Sequence, residues 1–153
     1  MAKLKTWEIP ALEDQKSFCE AGNVILKSRI DFLLSCIDEY FKNRTVENLH
    51  SIRIALRRVR YNMELFISCF ERKLFFRLYK KVGTLQDLSG LARDLDVCKA
   101  NIKSLIENEK VRINRSLINN VVNKRLILEN NLEIELMKFL HSKSLKDFYK
   151  LLS

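Results

Sequence analysis

The sequence predicts an all-α protein, an antiparallel bundle of four main helices with short additional helices. Three observations favour this class. Only three glycines and one proline occur in 153 residues, whereas sheets and loop-rich folds need many turn residues. Hydrophobic residues make up 47% and charged residues 31% of the chain, a balance typical of globular proteins. Long segments also place apolar residues three and four positions apart, as the core-facing side of an α-helix requires.

The first half of the chain contains the two most regular helical patterns. Residues 1–13 are expected to form an irregular lead-in, and residues 14–153 a single helical bundle. The first predicted helix runs from about Asp14 to Lys42. Its core positions are Leu26, Ile30, Leu33, Ile37 and Tyr40. The second covers about Val46 to Phe70 with strict three-four spacing. Its core positions are Leu49, Ile52, Leu56, Val59, Met63, Phe66 and Phe70.

The middle of the chain predicts two helices separated by a glycine. The first runs from about Lys73 to Ser89, with core positions Phe75, Leu78, Val82, Leu85 and Leu88. We expect Gly90 to end it, because glycine is common just past a helix C-terminus. A new helix should then run to about Asn108. Asp94 and Asp96 would lie near its N-terminus, where the helix dipole favours carboxylates.

The last third of the chain predicts one long helix and one short helix. The long helix covers about Val111 to His141. Its core positions are Leu117, Val121, Leu128, Leu132, Leu136 and Phe139. A short amphipathic helix should cover residues 144–152. Short connections between long helices imply antiparallel neighbours, so the elements together predict a bundle.

The cysteines and the hydropathy pattern exclude several classes of protein. Cys19, Cys36, Cys69 and Cys98 are far apart, with no C-x-x-C pair, so neither a zinc site nor any other metal or cofactor is indicated. Each lies in a predicted helix, where a free thiol packs as a small hydrophobe, and no disulfide framework is expected. The N-terminus does not resemble a signal peptide, and no apolar run is long enough to span a membrane. We therefore expect a cytoplasmic chain.

The net charge of +9 is concentrated in one segment. Between His50 and Lys81 there are nine Lys and Arg residues and two acids, which gives +7, and the rest of the chain carries only +2. At about 100° per residue, His50, Arg53, Arg57 and Arg60 fall within an arc of roughly 80°. We call these four residues the first basic stripe. Each follows a core position by one residue, so the stripe flanks the packed face and should line an interhelical groove.

Further cations extend the basic segment. Lys73, Arg77 and Lys80 form a second basic stripe, with Lys81 beside it. Arg58 points about 80° away from His50 on the same helix. Arginine donates two parallel hydrogen bonds to a phosphate and stays charged, so the segment is typical of an anion-binding surface. The alternative for each of these cations is a solvated helix face. For His50 the alternatives are a phosphate donor, a group that positions an arginine, or a packed residue near the helix start.

Two motifs resemble a known family. His50-x-x-Arg53-x-x-x-Arg57-Arg58-x-Arg60 is followed by Gly90-Leu-Ala-Arg93-Asp94-Leu-Asp96-Val97, and the pair resembles the CHAD domain, the conserved histidine α-helical domain. The resemblance implies an all-helical fold that binds inorganic polyphosphate and associates with polyphosphate granules. It adds Arg93 as a residue that either binds phosphate or is structural. Asp94 and Asp96, which would repel the ligand, are expected to cap a helix or orient arginines.

Family members commonly contain two helical bundles, whereas this chain resembles one. The hypothesis is that two copies associate as a homodimer that completes a two-bundle surface. The sequence does not suggest an enzyme, because a phosphate-binding G-x-x-x-x-G-K-[ST] loop and paired acids near a histidine are absent. Two other interpretations stay open. The basic helices could bind the phosphates of a nucleic acid, or the chain could be an adaptor for an acidic protein.

Overall fold

The computed structural model describes Ile9, Leu12 and residues 17–153, and it is helical throughout its regular structure. The helices are α1 (Phe18–Lys42), α2 (Val46–Leu65), α3 (Arg72–Asn108), α4 (Arg115–Leu140) and α5 (Lys143–Leu151), with a 3₁₀ turn at Ile67–Cys69. The predicted all-α class is confirmed, and none of the helices described is long and apolar enough to cross a membrane. Most of the predicted lead-in and the first residues of the predicted first helix lie outside the described residues.

The core is formed where α1, α2 and α3 pack side by side, with α4 and α5 completing it on the α3 side. All five predicted core positions of α1 are fully buried, and so are the α2 positions from Ile52 to Met63. The α2 helix ends at Leu65 rather than Phe70, and Phe70 is only half-buried. Side-chain caps start the helices at Ser17, Thr45, Asn114 and Ser142. Each accepts a hydrogen bond from a backbone N–H that the helix itself leaves unpaired.

The third helix corrects the prediction for the middle of the chain. Gly90 does not end a helix, because α3 continues without a break for 37 residues. Packing outweighs the low helix propensity of glycine here, since buried Ser89 and Ala92 on either side of Gly90 face the core. Asp94 and Asp96 therefore lie in the helix interior, and their predicted role as caps is wrong.

The distal parts of α3 and α4 form an antiparallel hairpin that extends past the core. We call residues 93–131 the hairpin. The core cluster stops at Ala92 on α3 and resumes at Leu132 on α4, and Val121 is the one buried residue between them. Leu117, a predicted core position, is 51% exposed. That prediction is wrong because no third helix of the described chain covers this part of α4.

A covalent bond joins α1 to the α2–α3 connection. Cys19 in the first turn of α1 and Cys69 in the 3₁₀ turn form a disulfide, so the expectation that no disulfide would form is wrong for this pair. Cys36 and Cys98 are free. Phe66 packs beside the bridge against the backbone of α1. A Cβ atom on Gly22 would lie only 2.7 Å from its ring, so Gly22 allows the two segments to approach.

Candidate functional site

Two residues of the first basic stripe, Arg53 and Arg60, lie on the side of α2 that borders α3. Arg60 donates from Nε to Glu64 Oε1 and to the Tyr79 hydroxyl, both at 3.2 Å. Its guanidinium also lies 5.4 Å from the centre of the Tyr79 ring, within cation–π range. The hydrogen bond with Tyr79 is the main cause that raises the pKa of Arg60. Arg60 is thus held in a fixed position at the α2–α3 boundary.

Arg53 lies further along the same boundary. Its Nε would be 4.0 Å from a Cβ atom built on Gly90, which is ordinary van der Waals distance, so Arg53 packs over the α3 backbone. A cavity of about 390 Å³ opens beside it. Arg53, Gln86, Asp87, Gly90, Leu91 and Asp94 line this cavity. The groove predicted beside the first basic stripe is therefore present, but its α3 wall carries two acids.

Arg57 and Arg58 are adjacent in sequence and point to different neighbours. Arg57 is exposed and lies 5.8 Å from the centre of the exposed Tyr61 ring. Burial lowers the pKa of Arg29 on α1, and the nearby charge of Arg58 lowers it further. Arg58 therefore faces α1. A cavity of about 250 Å³ lies between the two arginines, with Ile54 and Tyr61 as its other walls. Arg58 therefore belongs to the α1 side of α2, as its angular offset predicted.

His50 is half-buried, and its two ring nitrogens have different surroundings. Nδ1 is buried and has no hydrogen-bond partner among the described residues. A proton on Nδ1 would thus be buried without an acceptor, which is costly. A proton on Nε2 avoids this cost. In this state Nε2 is the donor that His50 could offer to a phosphate oxygen.

The second basic stripe lies on the outer side of α3, roughly a third of a turn from Tyr79 and Gly90. It therefore lies outside the α2–α3 groove. Lys73, Arg77 and Lys80 are exposed, and Lys81 is half-buried.

Part of this stripe borders a separate cavity of about 350 Å³ between α3, α4 and α5. Arg77, Lys80, Lys81, Thr84, Leu85, Glu135, Lys138, Phe139 and Ser144 line it. Sequence reasoning missed Lys138, because nothing in the sequence brings it close to residues almost sixty positions earlier. Lys138 pairs with Glu135 at 2.8 Å, so it adds less charge to the cavity than the three cations of α3.

Within the Arg93–Asp96 segment, Asp96 pairs with an arginine of α4, whereas Arg93 and Asp94 do not form an ion pair in the described chain. Asp96 accepts a hydrogen bond from Arg125 Nε at 2.7 Å, and both side chains are nearly buried. Arg125 also reaches Glu129, which accepts from the buried Tyr40 hydroxyl at 2.9 Å. The prediction that Asp96 orients an arginine is confirmed, although the arginine belongs to α4 and not to either basic stripe. Asp94 is exposed and Arg93 is half-buried.

Comparison with known proteins identifies the family. The family model of the CHAD domain matches residues 2–124, most of the 153-residue chain. The chain belongs to the CHAD domain family. Searches of the curated proteins and of the solved structures return no match. The matched region contains both basic stripes and all ten candidate residues, and it ends within α4.

The basic residues of this CHAD domain are largely unneutralised. Among the ten candidates, only Arg60 forms an ion pair with a carboxylate of the described chain. The other nine have none. They are His50, Arg53, Arg57, Arg58, Lys73, Arg77, Lys80, Lys81 and Arg93. Elsewhere in the described chain, Arg44 and Arg125 are paired with glutamate or aspartate, whereas Arg112 and Arg115 are in no ion pair. The eight Lys and Arg residues among these nine therefore carry charge that no carboxylate of the described chain pairs with.

Proposed function

We propose that this chain binds inorganic polyphosphate, without catalysing a reaction, through the two basic stripes and their neighbours. The observation that carries the proposal is that eight candidate Lys and Arg residues have no carboxylate partner in the described chain. Membership of the CHAD domain family, which is known for polyphosphate association, supports the same ligand. The proposed contacts are His50, Arg53, Arg57, Arg58, Arg60, Lys73, Arg77, Lys80, Lys81 and Arg93.

The geometry suggests how each residue would contact an extended phosphate chain. One-turn spacing on α2 places guanidinium groups about 5 Å apart along the helix, so Arg53 and Arg57 can each donate to successive parts of an extended phosphate chain. Arg60 is held by Tyr79 and Glu64 and serves as a fixed end of this row. The cations of the second basic stripe continue the surface around α3. No base-reading groove is needed, because polyphosphate carries charge and phosphate oxygens alone.

The test is a competition at fixed salt between long-chain polyphosphate, RNA and duplex DNA. Fixed salt is essential, because the affinity of any polyanion depends steeply on it. We expect polyphosphate to bind more tightly per phosphate than either nucleic acid. A joint Arg53→Glu and Arg57→Glu variant should weaken polyphosphate binding by about tenfold or more, since each reversal removes a charge-assisted contact and adds repulsion.

A matched control is available on α5. Lys146 and Lys150 are exposed, have the same four-residue spacing, and lie beside a cavity bordered by Leu34 and Tyr149 rather than on either basic stripe. A joint Lys146→Glu and Lys150→Glu variant changes the net charge equally and should weaken binding far less. Equal losses in the two variants would show that only total charge matters, and equal affinity for all three polyanions would reject specific polyphosphate recognition.

One observation favours the alternative ligand, a nucleic acid. Tyr61 is 53% exposed beside Arg57, and an exposed aromatic ring next to arginine can stack on a base. Phe66 and Phe75 are buried, and the Tyr79 hydroxyl is bonded to Glu64, so these rings are less suited to stacking. A Tyr61→Ala variant that loses RNA binding but keeps polyphosphate binding would support this alternative. Binding of an acidic protein through the same cations is the remaining alternative.

The proposal also covers the location of the chain in the cell and its assembly into a homodimer. We place the chain at polyphosphate granules in the cytoplasm, a location that co-localisation with stained polyphosphate in cells would test. A reducing cytoplasm keeps most thiols unpaired, so the Cys19–Cys69 bridge weighs against that compartment. A homodimer that joins its basic surfaces into one two-bundle site also stays a prediction. Two unneutralised surfaces repel each other, so the polyanion itself would have to bridge them.

A further inference from the structure

The cavity of about 350 Å³ between α3, α4 and α5 collects more positive charge than the other cavities described above. We call it the α3–α4–α5 pocket. Four cations and one acid line it, an excess of three positive charges. In the cavity beside Arg53 the acids outnumber the cations, and the cavities beside Tyr61 and Tyr149 have two cations each. Of these cavities, the α3–α4–α5 pocket is therefore the best suited to an anion.

The four cations reach the pocket from two helices. Arg77, Lys80 and Lys81 are three and four residues apart, so they lie on one side of α3. Lys138 comes from α4 and pairs with Glu135 at 2.8 Å. Cations grouped around one cavity repel one another, and a multivalent anion between them replaces this repulsion with attraction. The pocket thus suits an anion with several charges better than a single carboxylate.

The neutral groups of the pocket restrict the kind of anion. Ser144, in the first turn of α5, offers a hydroxyl, and the N-terminus of this helix favours negative charge. Leu85 and Phe139 form the apolar part of the wall, but each is only 2% exposed. A ring buried to this extent has no free face on which a nucleobase could stack. The described walls therefore offer contacts to phosphate oxygens and no stacking contact for a nucleotide.

The size of the pocket favours a short ligand. Its volume lies near the lower end of the range for small-molecule sites, which is about 300–1,000 Å³. A terminal phosphate has a second pKa of about 6 and carries almost two charges at pH 7, whereas an internal phosphate of a chain carries one. A triphosphate is therefore small and densely charged, because two of its three phosphates are ends. Such a ligand matches both the volume and the excess of positive charge.

Much of the pocket lies outside the part of the chain that the family model matches. The match ends at residue 124, whereas Lys138, Phe139 and Ser144 follow it in sequence. The matched part supplies only the α3 side of the pocket. Membership of the CHAD domain family therefore does not by itself imply a site here.

We propose that the α3–α4–α5 pocket binds a compact inorganic oligophosphate of about three phosphate groups, either as a free molecule or as the end of a longer chain. The cations of α3, Lys138 and the Ser144 hydroxyl contact its terminal oxygens. Glu135 opposes binding, because it neutralises Lys138 and repels the ligand. The chain-end form rests on the proposed function, whereas the free form does not.

The first experiment is calorimetric titration with sodium triphosphate at fixed salt. Glu135→Gln should tighten binding by about threefold or more, because it frees Lys138 and removes a like charge. Asp38→Asn is the matched control. Asp38 pairs with Lys42 on α1 at 2.7 Å, so this variant also frees a lysine and changes the net charge equally. It should change the affinity by less than about twofold. A gain of affinity cannot result from loss of folding.

The second experiment removes a cation of the pocket that does not belong to either basic stripe. Lys138→Gln should weaken triphosphate binding by about fivefold or more, because a charge-assisted contact is lost and Glu135 is left unpaired. Lys124→Gln is the control, since Lys124 is an exposed lysine of the same helix about 21 Å away along its axis. This control should change the affinity by less than about twofold.

The two sources of the ligand are distinguished with long-chain polyphosphate. One sample has free ends, and in the other the ends are capped as phosphoramidates. If Lys138→Gln weakens binding only of the chains with free ends, the pocket holds a chain end. If it weakens binding of neither chain, the ligand is a free oligophosphate. Equal weakening for both chains would show that internal phosphates occupy the pocket, which contradicts the proposal.

Three other results would overturn the proposal. One is triphosphate that binds no more tightly than about 1 mM. Another is an equal effect of either variant and its control. The third is ATP that binds about tenfold more tightly than triphosphate, which would show that a base is recognised. The proposed function is tested separately by Arg53→Glu with Arg57→Glu on long-chain polyphosphate, because neither arginine lines the pocket.

Discussion

The core region and the hairpin are built from the same helices but differ in what covers them. In α1, α2 and the first half of α3, apolar positions three and four apart are buried almost completely. In the hairpin, the same spacing leaves Leu105 36% and Leu117 51% exposed. The periodicity of a sequence thus indicates a helix and its apolar side, whereas burial depends on a neighbour that the periodicity does not specify.

Removing the disulfide should lower the stability of the core region more than any other change considered below. A loop of 50 residues between Cys19 and Cys69 corresponds to about 4 kcal/mol of chain entropy in the unfolded state, and measured effects are commonly 2–4 kcal/mol. We expect Cys19→Ser with Cys69→Ser to lower the free energy of unfolding by about that amount in urea titrations. Cys98→Ser, a free half-buried thiol of the hairpin, is the control and should change it little. Equal unfolding midpoints with and without reductant would contradict the expectation.

Substituting one leucine in the core region and one in the hairpin tests the difference in burial between the two regions. Leu56 in α2 is fully buried, and Leu126 in the hairpin is 56% exposed. Leu56→Ala should cost about 3 kcal/mol, because it leaves a cavity in a packed core. Leu126→Ala should cost less than about 0.5 kcal/mol, as is usual for exposed positions. Chemical denaturation of both variants checks this, and similar costs would mean that the hairpin is packed as tightly as the core.

Tyr40 lies where the core region meets the hairpin, because its hydroxyl donates to Glu129 of the hairpin. Burial, followed by the hydrogen bond to Glu129, raises the pKa of Tyr40 strongly. The folded state therefore keeps the phenol neutral, while the unfolded chain ionises near pH 10. It follows that the stability contributed by Tyr40 is present below about pH 10 and is lost as the pH rises above it.

Tyr40→Phe should lower the free energy of unfolding at pH 7 by about 1–2 kcal/mol, since Glu129 and Glu133 each lose a donor. The fall in stability above about pH 10 should also become shallower than in the wild type. Denaturant titrations at several pH values measure both effects. An unchanged alkaline slope would show that Tyr40 ionises as readily in the folded state as in the unfolded state.

Much of the fold could be predicted because α1 and α2 carry unbroken three-four patterns, and their predicted core residues are buried. The errors have physical causes. Gly90 looks like a helix end, but core packing on both sides of it keeps α3 intact. Cys19 and Cys69 are 50 residues apart, and nothing local shows that α1 begins beside the 3₁₀ turn.

The sequence indicated which residues make up the candidate site, but it did not indicate how they are arranged. The offset of Arg58 from the first basic stripe is visible on a helical wheel, and its position facing α1 agrees with it. By contrast, the acids beside Arg53 and the lysine of α4 beside Arg77 and Lys80 come from other parts of the chain. Their proximity depends on the packing of α3 against α2 and α4, which no local pattern encodes.

The unbroken course of α3 has a mechanical consequence. Its 37 residues form a rod about 55 Å long, with the second basic stripe near one end and the hairpin near the other. A tilt of roughly 5° at one end displaces the far end by about 5 Å, because a helix of this length moves as a lever. Whatever holds the basic end of this rod therefore also sets the position of its apolar end.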